Sequence, residues 1–228
     1  MEKLMELGVK LNDTFIVDDR WKFFVEGLET TLPISLFAVI LGFLLGIIAA
    51  FGKLSRFRVP RWLANIYIDI IRGTPTMVQL FIIYFVIFGP IDIDRRIVAV
   101  IAFGINSGAY VAEIIRGGIL SINKGQSEAG RSLGLSHWQT MLYIVMPQAI
   151  KNIIPALANE FIVLVKETAV VGYIAKIDLM AAALKVQSLT YDFTVPLISV
   201  AIIYYVIIKI LTFFINMLEK KLRKSDVR

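Results

Sequence analysis

Charged and amide side chains recur at helical spacing inside stretches of this chain that are otherwise apolar. Asn65, Asp69, Arg72 and Thr76 follow one another at intervals of four, three and four residues, so they share one helical face. Asp69 and Arg72 are close enough in sequence to pair. Inside a membrane a charge is costly unless it is paired or faces water. The pattern therefore indicates either an ion pair that joins helices or the wall of a hydrated cavity for a polar solute.

Two further apolar stretches carry polar stripes of the same kind. In the first, Asn106, Tyr110 and Glu113 are separated by four and three residues, and Ser107 lies beside them. The second has heptad spacing and consists of Asn152, Asn159 and Lys166, with Glu160 and Glu167 each displaced by one residue. One stripe alone is more often explained by hydrogen bonds between helices. Three stripes together favour a hydrated cavity.

The elements that position these stripes are predicted to be membrane helices. Hydrophobic residues make up 57% of the 228 residues and charged residues 18%, with a mean hydropathy of +0.75. Soluble domains carry about 25% charged residues, so an ordinary water-soluble globule is excluded. The absence of cysteine excludes a thiolate metal site and a cysteine nucleophile, and the lone His137 is interpreted as a surface residue.

The hydropathy pattern predicts an all-α, polytopic membrane protein with one domain over residues 1–228. Five spans are predicted, at 31–51, 62–88, 97–118, 139–166 and 195–218. Twelve basic residues fall in the connections 52–61 and 116–137 and in the C-terminal tail, against eight on the opposite side. Because basic residues accumulate in the cytoplasm, we expect an extracytoplasmic N-terminal segment 1–29 and a cytoplasmic C-terminus. This topology explains the net charge of +6 without nucleic acid.

The second predicted span contains an interruption. Gly73 suits a helix end, Thr74 an N-cap and Pro75 the first position of a new helix. The sequence thus predicts a broken span with a helix N-terminus inside the membrane. Such N-termini attract carboxylates and recur at transport sites.

The connection 121–137 is predicted to form a rigid helical hairpin on the cytoplasmic face. Residues 127–133 form a short helix that Gly134 ends in a left-handed conformation. Ser136 then caps the next helix, and Gln139 completes a capping box. Pro147 and Pro155 are expected to kink the helix that follows. A rigid hairpin at this place is a docking element, because it transmits force where a flexible loop does not.

At these residues the chain resembles a known family. One segment is similar to the EAA motif of permease subunits in binding-protein-dependent ABC importers. It consists of Glu128-Ala129-Gly130, then Gly134 after three residues, then Ile144-Val145-Met146-Pro147 after nine more. Gly130 and Met146 replace the alanine and leucine of the family pattern. The stretches 69–75, 106–118 and 166–168 resemble the polar amino acid branch of that family, although Glu167 and Thr168-Ala169 depart from it.

The resemblance implies the five-helix, type I ABC importer (MetI-like) permease fold in the bacterial inner membrane. It also implies partners: a second permease subunit that completes a dimer, two cytoplasmic ABC ATPase subunits and an extracytoplasmic amino-acid-binding protein. ATP and Mg²⁺ would bind to the ATPase subunits, and this chain would hold no cofactor or metal of its own. The residues expected to contact the ATPase are Ser127, Glu128, Ala129, Gly130, Arg131, Gly134 and Leu135.

The three stripes supply the expected substrate site. Asn106, Ser107 and the helix N-terminus near Thr74 are expected to meet an α-carboxylate, and acidic side chains to meet amino or guanidinium groups. Because acids outnumber bases in the stripes, we expect basic amino acids such as arginine, lysine or histidine. The full set of candidate substrate residues is Asp69, Arg72, Asn106, Ser107, Tyr110, Glu113, Asn159, Glu160 and Lys166.

The chain lacks the usual loop for binding nucleotide phosphates. Its only Gly-Lys pair, Gly52-Lys53, is followed by Leu54 instead of serine or threonine. The energy for transport must therefore come from a partner chain or an ion gradient, so an ion-coupled carrier without an ATPase remains the alternative. With one histidine and no cysteine, a membrane enzyme is disfavoured.

Overall fold

The computed structural model describes residues 1–174 and 177–223, and the regular elements in those ranges are helices. Lys176, Lys224 and Arg228, which are counted among the basic residues above, lie outside the described residues. In chain order the α-helices are α1 (Glu2–Phe15), α2 (Trp21–Leu54), α3 (Arg58–Gly73), α4 (Thr76–Phe81), α5 (Arg95–Leu120), α6 (Lys124–Ser132), α7 (His137–Thr140), α8 (Met146–Glu167), α9 (Leu179–Thr190) and α10 (Thr194–Arg223). Shorter helical segments are two 3₁₀ turns (Val17–Asp19 and Thr168–Tyr173) and two π-helical segments (Ile82–Ile87 and Met141–Val145).

Three helices are long and apolar enough to cross a membrane, as far as the described residues show: Val17–Leu54, Arg95–Leu120 and Thr194–Leu222. The bent pair Arg58–Gly73 and Thr76–Ile87 meets the same test when its two parts are taken together. The all-α membrane architecture is thus confirmed. The predicted span 139–166 is not among these candidates, so the count of five spans and the orientation stay predictions.

The longest helix, α2, begins at Trp21, well before the predicted span at residue 31. It packs along much of α5, and small residues permit the contact. A Cβ placed on Gly42 would lie 2.7 Å from the Cβ of Ser107, closer than two such atoms approach. Gly42 thus packs within the subunit, and it brings the two backbones together beside a candidate site residue.

The break in the second predicted span is confirmed, because α3 and α4 meet at an angle of 108°. The predicted cap is wrong. Pro75, with φ −63° and ψ 134°, occupies the N-cap position of α4, and Thr74 is extended. The reason is that the Thr74 hydroxyl donates a hydrogen bond of 2.8 Å back to the Ile70 carbonyl of α3 and does not cap α4.

A helix that the sequence analysis did not predict, α9, lies between α8 and α10 in the chain and is buried on one face. Asp178 caps it by accepting hydrogen bonds of 2.6 Å from the Ala181 amide and 2.8 Å from the Gly172 amide. Its inward face packs against Phe24 of α2 and consists of the fully buried side chains of Leu179, Ala182, Ala183 and Val186. With 12 residues, α9 is too short to cross a hydrocarbon core of about 30 Å.

The predicted end of the hairpin's first helix and its capping box are confirmed, although α6 begins at Lys124, three residues before the predicted start. Gly134 has a φ of +86°, which ends α6 in the left-handed region. The Ser136 side chain accepts a hydrogen bond from the Gln139 amide, and the Gln139 side chain accepts one from the Ser136 amide, which completes the capping box. The π-helical segment Met141–Val145 then leads into Pro147, and α8 continues as one helix through Pro155.

Candidate functional site

The structure brings two of the predicted substrate residues into direct contact. The Ser107 hydroxyl of α5 donates a hydrogen bond of 3.0 Å to Oε1 of Glu160 on α8. Ser107 is fully buried and Glu160 is only 7% exposed. Isolated carboxylates are costly to bury and are usually compensated by a cation or by several hydrogen bonds. In the part of the chain that the structure describes, no cation pairs with Glu160.

Asn106, the neighbour of Ser107, is also buried and incompletely satisfied. Its Nδ2 donates a hydrogen bond of 2.8 Å to Oε1 of Gln79 and a longer one of 3.4 Å to the Thr76 hydroxyl. Its Oδ1 atom is buried without a hydrogen-bond partner among the described residues. Buried acceptors are nearly always paired, so this oxygen is available to a donor that enters the site.

Gln79 on α4 is a site residue that the sequence analysis missed. Its Nε2 donates hydrogen bonds to the Ile71 carbonyl (2.7 Å) and to the hydroxyl (2.7 Å) and carbonyl (3.0 Å) of Thr74. Gln79 thus satisfies the carbonyls that the break leaves free and links the break to Asn106. The available signal was a lone amide side chain shortly after a predicted helix break, within an apolar segment.

A second polar cluster surrounds Glu113 on α5. Lys53 of α2 donates to Oε1 at 2.6 Å, Arg116 donates to Oε2 at 2.7 Å, and Arg72 of α3 approaches Oε2 at 3.9 Å. The Arg72 guanidinium also lies 5.4 Å from the centre of the Tyr110 ring. The structure therefore groups Arg72, Tyr110 and Glu113 with one another and with Lys53. It does not bring them into contact with Glu160.

The predicted pair between Asp69 and Arg72 is wrong. Asp69 is exposed and has no ion pair within the described parts of the chain, because the Arg72 side chain is turned towards Glu113 and Tyr110. Asn159 and Lys166 of α8 are also exposed, and neither joins the buried cluster. Heptad spacing placed these residues on one stripe, but the charged side chain that α8 buries is the displaced Glu160.

The hairpin formed by α6 and α7 presents a mixed surface to solvent. Glu128, Ala129 and Arg131 are exposed on α6, and Leu133 is 83% exposed at its end. Ser127 and Leu135 are partly buried. Gly130 faces inwards, where an added Cβ would lie 2.6 Å from Cδ1 of Ile144, so this departure from the family pattern fits close packing against the helical segment that follows.

Comparisons with known proteins identify the family of this chain and its fold. Residues 42–224 match the family model "Binding-protein-dependent transport system inner membrane component". The chain is 44% identical over 207 residues to the arginine transport system permease protein ArtQ of Bacillus subtilis (strain 168), a match that covers 90% of this chain and 94% of that protein. A crystal structure of an amino acid ABC transporter with histidines matches with a TM-score of 0.84 and 43% identity, covering 90% and 96% of the two chains.

A more distant structure supports the fold alone. The MetNI methionine ABC transporter in an inward-facing conformation matches with a TM-score of 0.73 and 18% identity, covering 89% of this chain and 97% of that one. Together with the family model, it shows that the helices have the type I, MetI-like permease arrangement.

Proposed function

Because the chain belongs to the binding-protein-dependent transport system inner membrane component family, we propose that it carries basic L-amino acids across a bacterial inner membrane as the permease subunit of an ATP-driven importer. Members of this family are transport components, and their ATPase activity lies in a separate partner subunit. Because the chain belongs to this family, no observation supports the alternative function, an ion-coupled carrier without an ATPase. The same membership supports a second permease subunit, two ABC ATPase subunits and an extracytoplasmic binding protein as partners.

One observation carries the substrate proposal: Glu160 is a buried carboxylate whose described polar partner is a single serine hydroxyl. An ammonium or guanidinium group of the substrate supplies the missing cation. The unpartnered Asn106 Oδ1 in the adjoining position accepts a further hydrogen bond from the same substrate. The ArtQ relative is named for arginine transport, and the similar crystal structure is of a transporter with histidines, so both support a basic substrate.

The candidate residues divide into three groups under this proposal. Asn106, Ser107 and Glu160 bind the substrate, with Gln79 as the residue that positions Asn106. The cluster of Arg72, Tyr110 and Glu113 instead holds α2, α3 and α5 together, because Glu113 is already surrounded by three cations. Asp69, Asn159 and Lys166 are exposed on the single chain, where a second permease subunit would complete the pathway.

Coupling to the ATPase follows from the continuity of the helices. The exposed face of α6 docks on the ATPase subunit through Glu128, Arg131 and Leu133. Movement of α6 and α7 passes through the π-helical segment 141–145 into α8, which carries Glu160. Since Ser107 is on a different helix, α5, a displacement of α8 separates the two sides of the substrate site. ATP and Mg²⁺ act on the partner subunits and drive this displacement.

Uptake by reconstituted vesicles tests the proposal. The complete importer, with its ATPase and binding protein, is assayed for ATP-driven uptake of arginine and of glutamine. We expect Glu160→Gln to lower arginine uptake at least tenfold and to reduce the preference for arginine over glutamine. Glu167→Gln on the same helix is the matched control, and we expect it to retain the wild-type preference. An unchanged preference in Glu160→Gln would remove Glu160 from the substrate site.

A further inference from the structure

A groove of about 420 Å³ lies where the end of α2 meets the end of α5 and the segment that joins α7 to α8. Its volume is within the range of about 300–1,000 Å³ that is typical of small-molecule sites. The lining side chains are almost all apolar and include no acidic residue: Phe51, Leu54, Ser55, Ile119, His137, Trp138, Met141, Leu142 and Met146. We call it the α2–α7 groove.

A turn rich in arginine adjoins this groove. We call the segment 55–61 the arginine turn: Arg56 lies between α2 and α3, and Arg58 and Arg61 lie at the start of α3, all of them exposed. Nε of Arg61 donates a hydrogen bond of 3.0 Å to the carbonyl of Ser55, a lining residue, and Nη2 donates one of 3.2 Å to the Arg56 carbonyl. These bonds hold one guanidinium beside the groove. In the same region, the Glu113 carboxylate is already paired with Lys53 and Arg116. It therefore does not neutralise the arginine turn.

Exposed aromatic side chains place the groove at the level of lipid headgroups. Trp138, which lines the groove, is 68% exposed, and Trp62 and Phe57 near the arginine turn are 63% and 61% exposed. Tryptophan concentrates where hydrocarbon meets water. The groove therefore has an apolar interior, a positively charged neighbourhood and a position at the membrane surface.

We propose that the α2–α7 groove binds an anionic phospholipid. The acyl chain occupies the apolar groove, and the phosphate is bound by the arginine turn. Basic pockets beside membrane helices are suited to such headgroups. A symmetric contact with a second copy of this chain at this place is disfavoured, because it would bring two arginine turns together without compensating acids. Zwitterionic lipids lack the net negative charge that the turn attracts.

The site has a consequence for transport. Met141 and Leu142 belong to the π-helical segment through which the hairpin is joined to α8, and they form one wall of the groove. A bound acyl chain packs between this segment and α2. The lipid composition of the membrane thereby influences how strongly α6 and α7 are linked to the substrate site.

Native mass spectrometry of the purified importer, permease with ATPase subunits, tests the proposal. The complex is titrated with palmitoyl-oleoyl phosphatidylglycerol or with the matching phosphatidylcholine. We expect phosphatidylglycerol to be retained preferentially, and Arg56→Gln and Arg61→Gln each to weaken its binding about fivefold, since a basic residue near a membrane surface contributes about 1 kcal/mol. Leu142→Trp fills the groove and should reduce retention of the lipid further.

Two control variants separate this site from general lipid contact. Lys220→Gln removes an exposed basic side chain outside the groove, and Ile202→Trp enlarges an exposed apolar side chain of α10. Ile202→Trp should not change phosphatidylglycerol retention, whereas Lys220→Gln measures how much a basic side chain outside the groove contributes and should lower retention less than Arg61→Gln. Equal retention of both lipids, or equal retention by the groove variants and their controls, overturns the proposal.

The absence of cysteine from the chain permits a direct test of the occupant. A single cysteine introduced by Leu142→Cys is expected to react with a maleimide in detergent and to be protected by added phosphatidylglycerol. Protection by the ATPase subunits in the absence of lipid would show that a protein covers the groove and would overturn the proposal.

Discussion

Asn106 on α5 donates a hydrogen bond of 2.8 Å to Gln79 on α4, and so connects the break between α3 and α4 to the helix that carries Ser107. The Gln79 side chain therefore bonds both to the carbonyls that the break leaves free and to Asn106 in the buried site. Gln79 alone thus couples the position of the break to the position of the proposed substrate site.

We expect Gln79→Leu to lower the free energy of unfolding by about 1–3 kcal/mol, because the carbonyls of Ile71 and Thr74 lose the Gln79 donor and Nδ2 of Asn106 keeps only its longer bond to the Thr76 hydroxyl. Thermal unfolding in detergent, followed by tryptophan fluorescence, measures the change. Gln187→Leu on α9 makes the same substitution at a partly buried glutamine and should have a smaller effect. Equal midpoints for the two variants would contradict the role given to Gln79.

Removing the Glu113 carboxylate is expected to destabilise the protein by leaving cations unpaired. Glu113→Gln leaves Lys53 and Arg116, whose side chains are 24% and 34% exposed, facing each other without the carboxylate. We expect a loss of about 1–3 kcal/mol, less than for a fully buried pair because water still reaches these cations. Thermal unfolding again provides the measurement.

A double variant distinguishes this charge effect from lost packing. Combining Glu113→Gln with Lys53→Met removes one of the unpaired cations, so it should be more stable than Glu113→Gln alone. The exposed pair of Lys10 and Glu6 provides the control, and Glu6→Gln should leave the unfolding midpoint unchanged. A double variant less stable than the single one would show that Lys53 contributes through packing.

The turn at Gly134 predicts an effect on coupling. At a φ of +86°, a Cβ adds strain of about 1–2 kcal/mol, so Gly134→Ala should shift the orientation of α6 relative to α7. We expect more ATP hydrolysed per amino acid transported in the reconstituted importer. Gly117→Ala on α5, where an added Cβ meets open space and the backbone is helical, is the matched control. The same ratio in both variants would argue against a role for the turn in coupling.

Local features were the most predictable part of this protein. The helix end at Gly134 and the capping box of Ser136 and Gln139 were predicted in full, because they depend on hydrogen bonds between residues three or four positions apart. The break near Gly73 was predicted for the same reason. Its cap was not, since the Thr74 hydroxyl donates to the Ile70 carbonyl and accepts from the Gln79 side chain instead of from an amide of α4, and the sequence does not tell which of these neighbours it bonds.

Relations between helices were less predictable. Periodicity correctly placed Asn106 and Ser107 on an inward-facing part of α5, but on α8 it favoured the stripe of Asn159 and Lys166, which the structure leaves exposed. A polar stripe defines a face of a helix but does not tell how far the helix is rotated towards its neighbours. The short helix α9 was missed because hydropathy windows long enough to detect spans do not resolve 12 residues.

The length of α2 has a mechanical consequence. Its 34 residues extend over about 51 Å at 1.5 Å per residue, whereas the hydrocarbon core is about 30 Å thick. Pro33 lies near the start of the predicted span, where its missing amide donor permits a bend in α2. The surplus of roughly 20 Å is therefore a spacer that sets α1 apart from the hydrocarbon core, and Pro33 lets this spacer lean relative to the membrane-embedded part of the helix.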